Sequence, residues 1–270
     1  MLSGLAVCAA LTAIVAGVAG AWSPCGFSMV ETIGSALGDR RRGATFAASA
    51  AFTVGAVLGG VLTFGGLALA GRLLDPGAGG VRLAVGAAIA VAAAAADWRG
   101  VKIAPQIRRQ VPERWRWTAP LPLACGLYGI LLGLGFTTFV LAFAVWALAG
   151  ISFAAGDLTV GIVVGVAFGI GRALPVLWMA PSLSDGRGGE RLDQMASEPR
   201  MWLGLRRLDA LGLSLCALFL GGASASAAVL PGASDPSAAG GQLAWQRPGG
   251  AGVVRLASGQ AVALPGGHPA

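Results

Sequence analysis

Residues 158–182 read LTVGIVVGVAFGIGRALPVLWMAPS, an apolar run interrupted by a single charged residue, Arg172. About 20 helical residues cross the roughly 30 Å hydrocarbon core of a bilayer, so the segment is typical of a membrane span. The rest of the chain has the same character: 56% of its residues are apolar, 11% are charged, and the mean hydropathy is +0.74. This composition indicates an integral membrane protein and argues against a soluble enzyme.

Other blocks of the chain are also apolar enough to form membrane helices. Together with the first, they are residues 5–34, 44–71, 83–96, 119–150, 158–182 and 210–230. We therefore expect an all-α integral membrane protein of about six spans, with a transmembrane domain over residues 1–230. Residues 1–20 contain no Lys or Arg, so the first block is expected to be a span and not a cleaved signal peptide.

Lys and Arg are concentrated in alternate linkers. Most lie in residues 40–42, 99–116 and 187–207, whereas the other linkers and the tail hold only Arg72, Arg82, Arg247 and Arg255. The positive-inside rule then predicts a multi-pass protein of the bacterial inner membrane with both termini on the periplasmic side. The net charge of +7 follows from this topology and from anionic lipid headgroups. The lipid bilayer is thus an expected partner, and nucleic acid is not.

Two short patterns occur twice, in the same order. TVGAVLG at residues 53–59 is echoed by TVGIVVG at residues 159–165, and Cys25-Gly26 is echoed by Cys125-Gly126. The echoes predict two repeats, at about residues 1–96 and 119–230. Because each repeat would hold an odd number of spans, the second enters the membrane from the opposite side. Active groups of such inverted repeats lie near the membrane midplane, between the halves.

The end of the chain differs from the apolar blocks. Residues 231–270 are rich in Gly, Ala and Pro, and we expect a flexible tail on the outer side of the membrane. Two alternating apolar runs flank Ser258-Gly259, a pattern that predicts a short β-hairpin.

Residue types exclude several kinds of chemistry. The chain has one His, His268, near its end, so metal sites and haem ligation that need imidazole within the fold are not expected. There is no phosphate-binding lysine loop of the ATPase type. We expect neither a metal nor a cofactor. The four cysteines, Cys8, Cys25, Cys125 and Cys216, show no CxxC spacing.

Cys25 and Cys125 differ from the other two cysteines in their neighbours. Pro24 directly precedes Cys25, and a proline within a membrane helix frees backbone groups that favour a thiolate. Prolines also precede Cys125, and Gly26 and Gly126 follow the two cysteines. We predict that Cys25 and Cys125 form a redox-active pair that exchanges electrons as a dithiol and a disulfide, with Pro24, Gly26 and Gly126 in support.

The simpler interpretation treats each cysteine as a small, packed apolar residue. We expect it to hold for Cys8 and Cys216, which have no adjacent helix breaker.

Around WSPCGF, residues 22–27, the sequence resembles the CcdA/DsbD family of membrane thiol–disulfide electron carriers. The resemblance implies a LysE/CcdA-like fold of six helices in two inverted repeats, with Cys125 as the second essential cysteine. It implies a cytoplasmic thioredoxin-like donor and a periplasmic thiol-protein acceptor, in the maturation of a c-type cytochrome or of a methylamine dehydrogenase. Ser28 and Ala124 stand where the family usually has proline. With these departures, the sequence resembles a specialised branch of the family, that of the methylamine-utilisation protein MauF.

A second hypothesis comes from two ionisable residues within the apolar runs, Glu31 and Arg172. Intramembrane charge is costly and often functional, so the pair favours a LysE-like transporter of small solutes or ions. The alternative is that both residues approach the interface or pair with each other in a structural role.

Overall fold

A computed structural model describes residues 2–20, 42–74, 79–101, 119–136, 142–183, 199–228, 234–239, 242–247, 250–255 and 261–264. The chain forms two compact units, Met1–Ser224 and Ala225–Ala270. The helices are α1 (Leu2–Ala19), α2 (Arg42–Gly60), a π-helix (Val61–Gly65), α3 (Gly66–Leu74), α4 (Gly79–Trp98), α5 (Leu121–Gly133), α6 (Ala144–Ala155), α7 (Leu158–Leu183) and α8 (Pro199–Ala228). The strands are β1 (Ser234–Ala239), β2 (Gln242–Arg247), β3 (Gly250–Arg255) and β4 (Ala261–Leu264).

The described helices have the apolar character that the composition predicts. Three segments, Phe46–Leu74, Gly80–Trp98 and Leu158–Trp178, are long and apolar enough to cross a membrane. Shorter apolar helices lie at Ser3–Ala19, Leu121–Gly133 and Ala144–Ala155. The prediction of apolar helices with membrane-spanning length is therefore confirmed for these three segments.

Two predicted blocks have different bounds in the structure. The block at residues 119–150 is not one helix, because α5 ends at Gly133 and α6 begins at Ala144. Gly135 has a φ of 75°, a left-handed conformation that cannot continue an α-helix. The last block begins earlier than expected, since α8 starts at Pro199 and takes in Arg206, which the sequence analysis assigned to a linker.

Glycines bring α2 and α7 into backbone contact. The residues that meet are Val57 with Gly169, Gly60 with Gly165, and Phe64 with Gly161. The numbers fall along α7 as they rise along α2 and the π-helix, so the two helices run antiparallel. The contact at Gly60 and Gly165 is reciprocal: a Cβ on either residue would collide with the backbone of the other. Both glycines lie in or beside the repeated TVG patterns.

The same reasoning gives the direction of the other helices in the first unit. Parallel packing joins α2 and α5, through Ala51 with Gly126, Phe52 with Gly129, and Ala56 with Gly133. Helices α1 and α8 are antiparallel, since Gly4 meets Phe219 and Thr12 meets Gly212. Helices α4 and α8 are antiparallel too, through Gly86 with Leu220 and Asp97 with Arg206. Helices α4 and α6 are also antiparallel, through Gly86 with Ala154 and Asp97 with Ala144. If α5 and α6 are two parts of one span, the segments α1, α2–α3, α4, α5–α6, α7 and α8 alternate in direction.

The second unit contains a four-stranded antiparallel sheet in the order β1-β2-β3-β4. Strands β3 and β4 are formed by the two apolar runs on either side of Ser258-Gly259, and their register pairs Val253 with Val262. Strands β1 and β2 were not expected from the sequence. An isolated two-stranded hairpin is only marginally stable, because independent stability needs three or more strands, and this sheet has four.

Candidate functional site

The structure describes only some of the predicted site residues. Cys25, Pro24, Gly26 and Glu31 lie outside the described residues. The described ones are Cys125 and Gly126 in α5 and Arg172 in α7.

Cys125 lies in the first turns of α5. The helix begins after Pro120, whose ψ of 139° is not helical, and Pro122 stands within its first turn, where the missing N–H costs nothing. The Cys125 side chain is a free thiol and only 1% exposed. The prolines before Cys125 thus start a helix. The break in this part of the chain comes after Gly133, about 14 Å from Cys125 along the helix axis.

A side chain at Gly126 would fit against α2. A Cβ at Gly126 would lie 3.6 Å from the carbonyl oxygen of Ala51, an ordinary contact. By contrast, Cβ atoms at Gly129 and Gly133 would overlap the backbone of α2. Close packing therefore requires glycine at the latter two positions, and the predicted supporting role of Gly126 does not follow from packing.

The break between α5 and α6 lies against the π-helix. The Thr63 hydroxyl donates to the carbonyl oxygen of Leu134 at 3.1 Å, at the end of α5. An apolar environment offers no water to such a carbonyl, so the bond satisfies an end that would otherwise be costly. A π-helix inside a longer helix is often found at functional sites. Here it presents a hydroxyl to an interrupted span.

Arg172 lies at the junction of α7, the π-helix and the end of α1. Its side chain is 2% exposed, and its guanidinium carbon lies 5.2 Å from the centre of the Phe168 ring. Phe168 in turn packs edge-on against Phe64, with ring centres 5.3 Å apart. A Cβ at Gly20, just after α1, would collide with the Arg172 guanidinium. A buried cation thus lies beside the point where the chain leaves α1 for the segment that contains Cys25 and Glu31.

A second buried polar group was missed by the sequence analysis. Arg206 in α8 forms an ion pair with Asp97 at the end of α4, with a nitrogen–oxygen distance of 2.7 Å and both side chains 0% exposed. The Asp97 carboxylate also accepts the backbone N–H groups of Phe143 at 3.1 Å and Ala144 at 2.9 Å, at the start of α6. Asp97 therefore provides the cap that α6 lacks in its own sequence.

Arg206 has a matching role at the end of α4. It donates to the carbonyl oxygen of Val101 at 2.8 Å, and its guanidinium lies 4.9 Å from the Trp202 ring. Cations are favourable at the C-terminal end of a helix, where carbonyls lack partners. The Asp97–Arg206 pair therefore links α4, α6 and α8: Asp97 binds the start of α6, and Arg206 of α8 binds the end of α4.

Curated proteins provide the comparison with known function. The chain is 31% identical over 182 residues to the methylamine utilization protein MauF of Methylobacillus flagellatus, covering 65% of this chain and 62% of that protein. It is also 31% identical over 182 residues to MauF of Paracoccus denitrificans, covering 65% of this chain and 64% of that protein.

The chain is similar to MauF proteins. The matched region spans just under two thirds of the length of these relatives, 62% for MauF of Methylophilus methylotrophus, which is 31% identical over 179 residues. No family model matches the chain, and no solved structure matches it. The predicted similarity to the methylamine-utilisation branch is thus confirmed, and the wider relation to CcdA and DsbD remains an expectation.

Proposed function

We propose that this protein carries reducing equivalents across the bacterial inner membrane by thiol–disulfide exchange at Cys25 and Cys125. This electron transfer would support methylamine utilisation, the process named in its MauF relatives. The observation that carries the proposal is the buried free thiol of Cys125 at the start of a short, interrupted helix. Electrons would come from a cytoplasmic thioredoxin-like donor and pass to a periplasmic thiol protein.

The proposed fold is six spans in two inverted repeats, with both termini on the periplasmic side. Alternating helix directions support it, because an inverted repeat requires equivalent helices to run in opposite directions. Helices α2 and α7 carry the repeated TVG patterns and run antiparallel, and they cross at the reciprocal glycine contact of Gly60 and Gly165. A two-fold axis through that crossing would relate the halves.

The exchange balances without a further cofactor. A donor thiolate attacks one sulfur of the Cys25–Cys125 disulfide, and the second donor thiol releases the mixed disulfide, which leaves the donor oxidised and the pair reduced. The reduced pair then attacks a disulfide of the acceptor by the same two steps. Two electrons move in each cycle, and the pair returns to its disulfide form.

The position of Gly20 supports a meeting of the two cysteines. Cys25 follows Gly20 closely in the chain, so the covalent backbone keeps the Cα atoms of Gly20 and Cys25 within about 18 Å of each other. Gly20 contacts Arg172, and α7 packs on α2, against which α5 also lies. A disulfide requires Cα atoms about 4.4–6.8 Å apart in at least one state.

Access to Cys125 requires a conformational change, because its side chain is 1% exposed. Helix α5 would have to move away from α2, which it meets at backbone distance through Gly129 and Gly133. The thiol would then be reached from one side of the membrane at a time.

The transporter hypothesis is favoured by one observation, the buried cationic side chains Arg172 and Arg206. Ionisable groups in membrane helices often mark ion or proton pathways. A LysE-like transporter would not need its cysteines, so loss of Cys25 and Cys125 separates the two functions.

The test uses the full chain in a Paracoccus denitrificans strain that lacks its own MauF. Wild type, Cys25→Ser and Cys125→Ser are compared with Cys216→Ser, a matched control because Cys216 is equally buried in α8. Growth on methylamine and alkylation of thiols after acid quenching are measured. We expect Cys216→Ser to grow like wild type and to show a disulfide that neither Cys25→Ser nor Cys125→Ser can form.

Growth supported equally by all four proteins would reject thiol–disulfide exchange and leave the transporter. Failure of Cys25→Ser and Cys125→Ser with no disulfide in wild type would also reject it, provided that the variants accumulate in the membrane at the wild-type level.

A further inference from the structure

Asp209 lies in α8, one turn after Arg206, and its side chain is 0% exposed. Within the described part of the chain, neither carboxyl oxygen of Asp209 has a hydrogen-bond partner. The same is true there of Nη1 of Arg206. A buried polar side chain without a partner is rare and costly in folded proteins, so the unpaired carboxyl needs an explanation.

The charges around Asp209 define what the carboxyl meets. Asp97, from α4, and Arg206, from its own helix, are the charged groups within electrostatic range among the described residues. Helix α1, which also packs on this part of α8, presents Thr12 near Gly212 and has no charged residue. Helix α6, which meets Asp97, also has none.

The single arginine is already committed to one carboxylate. Arg206 directs Nε and Nη2 to Asp97 at 3.0 and 2.7 Å. An ionised Asp209 would place a second negative charge beside Asp97 in an apolar environment, with one cation to balance both. A proton on Asp209 removes that excess charge and leaves the Asp97–Arg206 pair intact.

We propose that Asp209 is a proton-binding site, and that loss of the proton changes Arg206 from the partner of Asp97 into a partner shared by Asp97 and Asp209. Residues three apart lie on the same face of a helix, so the free Nη1 of Arg206 is within reach of an ionised Asp209. Sharing draws Arg206 away from Asp97, which caps the start of α6. Proton occupancy therefore sets how firmly α6 is held beside the break after α5. This proposal does not depend on the cysteines.

Infrared difference spectroscopy on the full chain in lipid tests the first part. At neutral pH we expect the C=O band of a protonated carboxylic acid in wild type, loss of this band in Asp209→Asn, and its retention in Asp157→Asn. Asp157 is the control because its carboxylate, unlike that of Asp209, has hydrogen-bond partners: it accepts the backbone N–H groups of Thr159 and Val160 at the start of α7. A band that persists in Asp209→Asn overturns the proposal.

Labelling of the wild-type protein needs no variant and decides the matter if Asp209→Asn fails to fold. Dicyclohexylcarbodiimide, an apolar reagent, modifies protonated carboxyls, and we expect the adduct on Asp209 by mass spectrometry. An adduct on Asp97 instead would place the proton on the wrong residue. Protection by sodium chloride, compared with choline chloride, would make the site one for a metal cation and also overturn the proposal.

Hydrogen exchange tests the link to α6. The amide groups of Phe143 and Ala144 should exchange faster at alkaline pH in wild type, after correction for the intrinsic rate, because their bonds to Asp97 weaken. In Asp209→Asn the corrected rates should no longer depend on pH. Equal pH dependence in both proteins would disprove the coupling.

Discussion

Replacement of Gly165 by Ala tests the glycine crossing of α2 and α7. A Cβ at Gly165 would lie 2.5 Å from the carbonyl oxygen of Gly60 and 2.6 Å from the Val61 nitrogen. These are backbone atoms, which cannot move aside by a change of rotamer. Ordinary contact begins at 3.4 Å, so the helices would have to separate by 3.4 − 2.5, or about 0.9 Å.

The cost of this separation can be set against the benefit of alanine. A radial gap of about 0.5–1 Å forfeits a quarter to a half of each dispersion contact, and overpacked sites lose about 1–3 kcal/mol. Rigid backbone on both sides places Gly165→Ala in the upper part of that range. Alanine in place of glycine returns about 1 kcal/mol in helix propensity. We therefore expect a net loss of about 1–2 kcal/mol.

Unfolding of the full chain in mixed micelles of increasing sodium dodecyl sulfate, followed by circular dichroism, measures the change. Gly204→Ala is the matched control, since nothing lies within 4 Å of a Cβ there, and it should be as stable as wild type or more so. The double variant with Gly60→Ala should lose less than the sum of the single losses, because both require the same separation. A Gly165→Ala protein as stable as Gly204→Ala would refute the crossing.

Two further changes concern the polar groups at helix ends. Asp97→Asn breaks the buried ion pair and leaves Asp209 as the remaining acid near Arg206, so it should cost at most about 3–5 kcal/mol in the same unfolding assay. Asp97→Leu combined with Arg206→Met should cost less than Asp97→Asn alone, and a double variant that costs more would contradict this. Thr63→Val removes the donor to Leu134 and should cost about 1–3 kcal/mol, since the carbonyl is left without a partner. Thr53→Val should change stability by less than about 0.5 kcal/mol, because among the described residues that hydroxyl donates to Ser49 of its own helix; equal losses at the two threonines would contradict the role of Thr63.

The apolar helices could be predicted because hydropathy is local: a span needs about 20 apolar residues in sequence, whatever surrounds them. The break within residues 119–150 could not, since the residues after Gly133 are as apolar as those before it. Gly135 was the local sign, but glycine is common throughout these helices and only its positive φ distinguishes this one.

The Asp97–Arg206 pair could not be predicted because its residues are 109 positions apart. In sequence, Asp97 stands beside Trp98 at the end of an Ala-rich block, and Arg206 stands among other basic residues. Both look like interfacial residues. The available signal was Asp209, an acid one turn after an arginine inside a helix, a spacing that suits residues on one buried face.

Four buried or half-buried polar side chains of the described residues bind backbone groups at the ends of helices. Thr63 serves the end of α5, Asp97 the start of α6, and Arg206 the end of α4, while Arg82 donates to the carbonyl oxygens of Gly71 near the end of α3 and of Ala154 near the end of α6. Side chains take the place of water, which an apolar environment does not supply. Charged side chains serve both ends of α6, because Asp97 accepts the N–H groups at its start and Arg82 donates to a carbonyl oxygen near its end. We therefore expect a movement that exposes Cys125 in α5 to leave α6 in place.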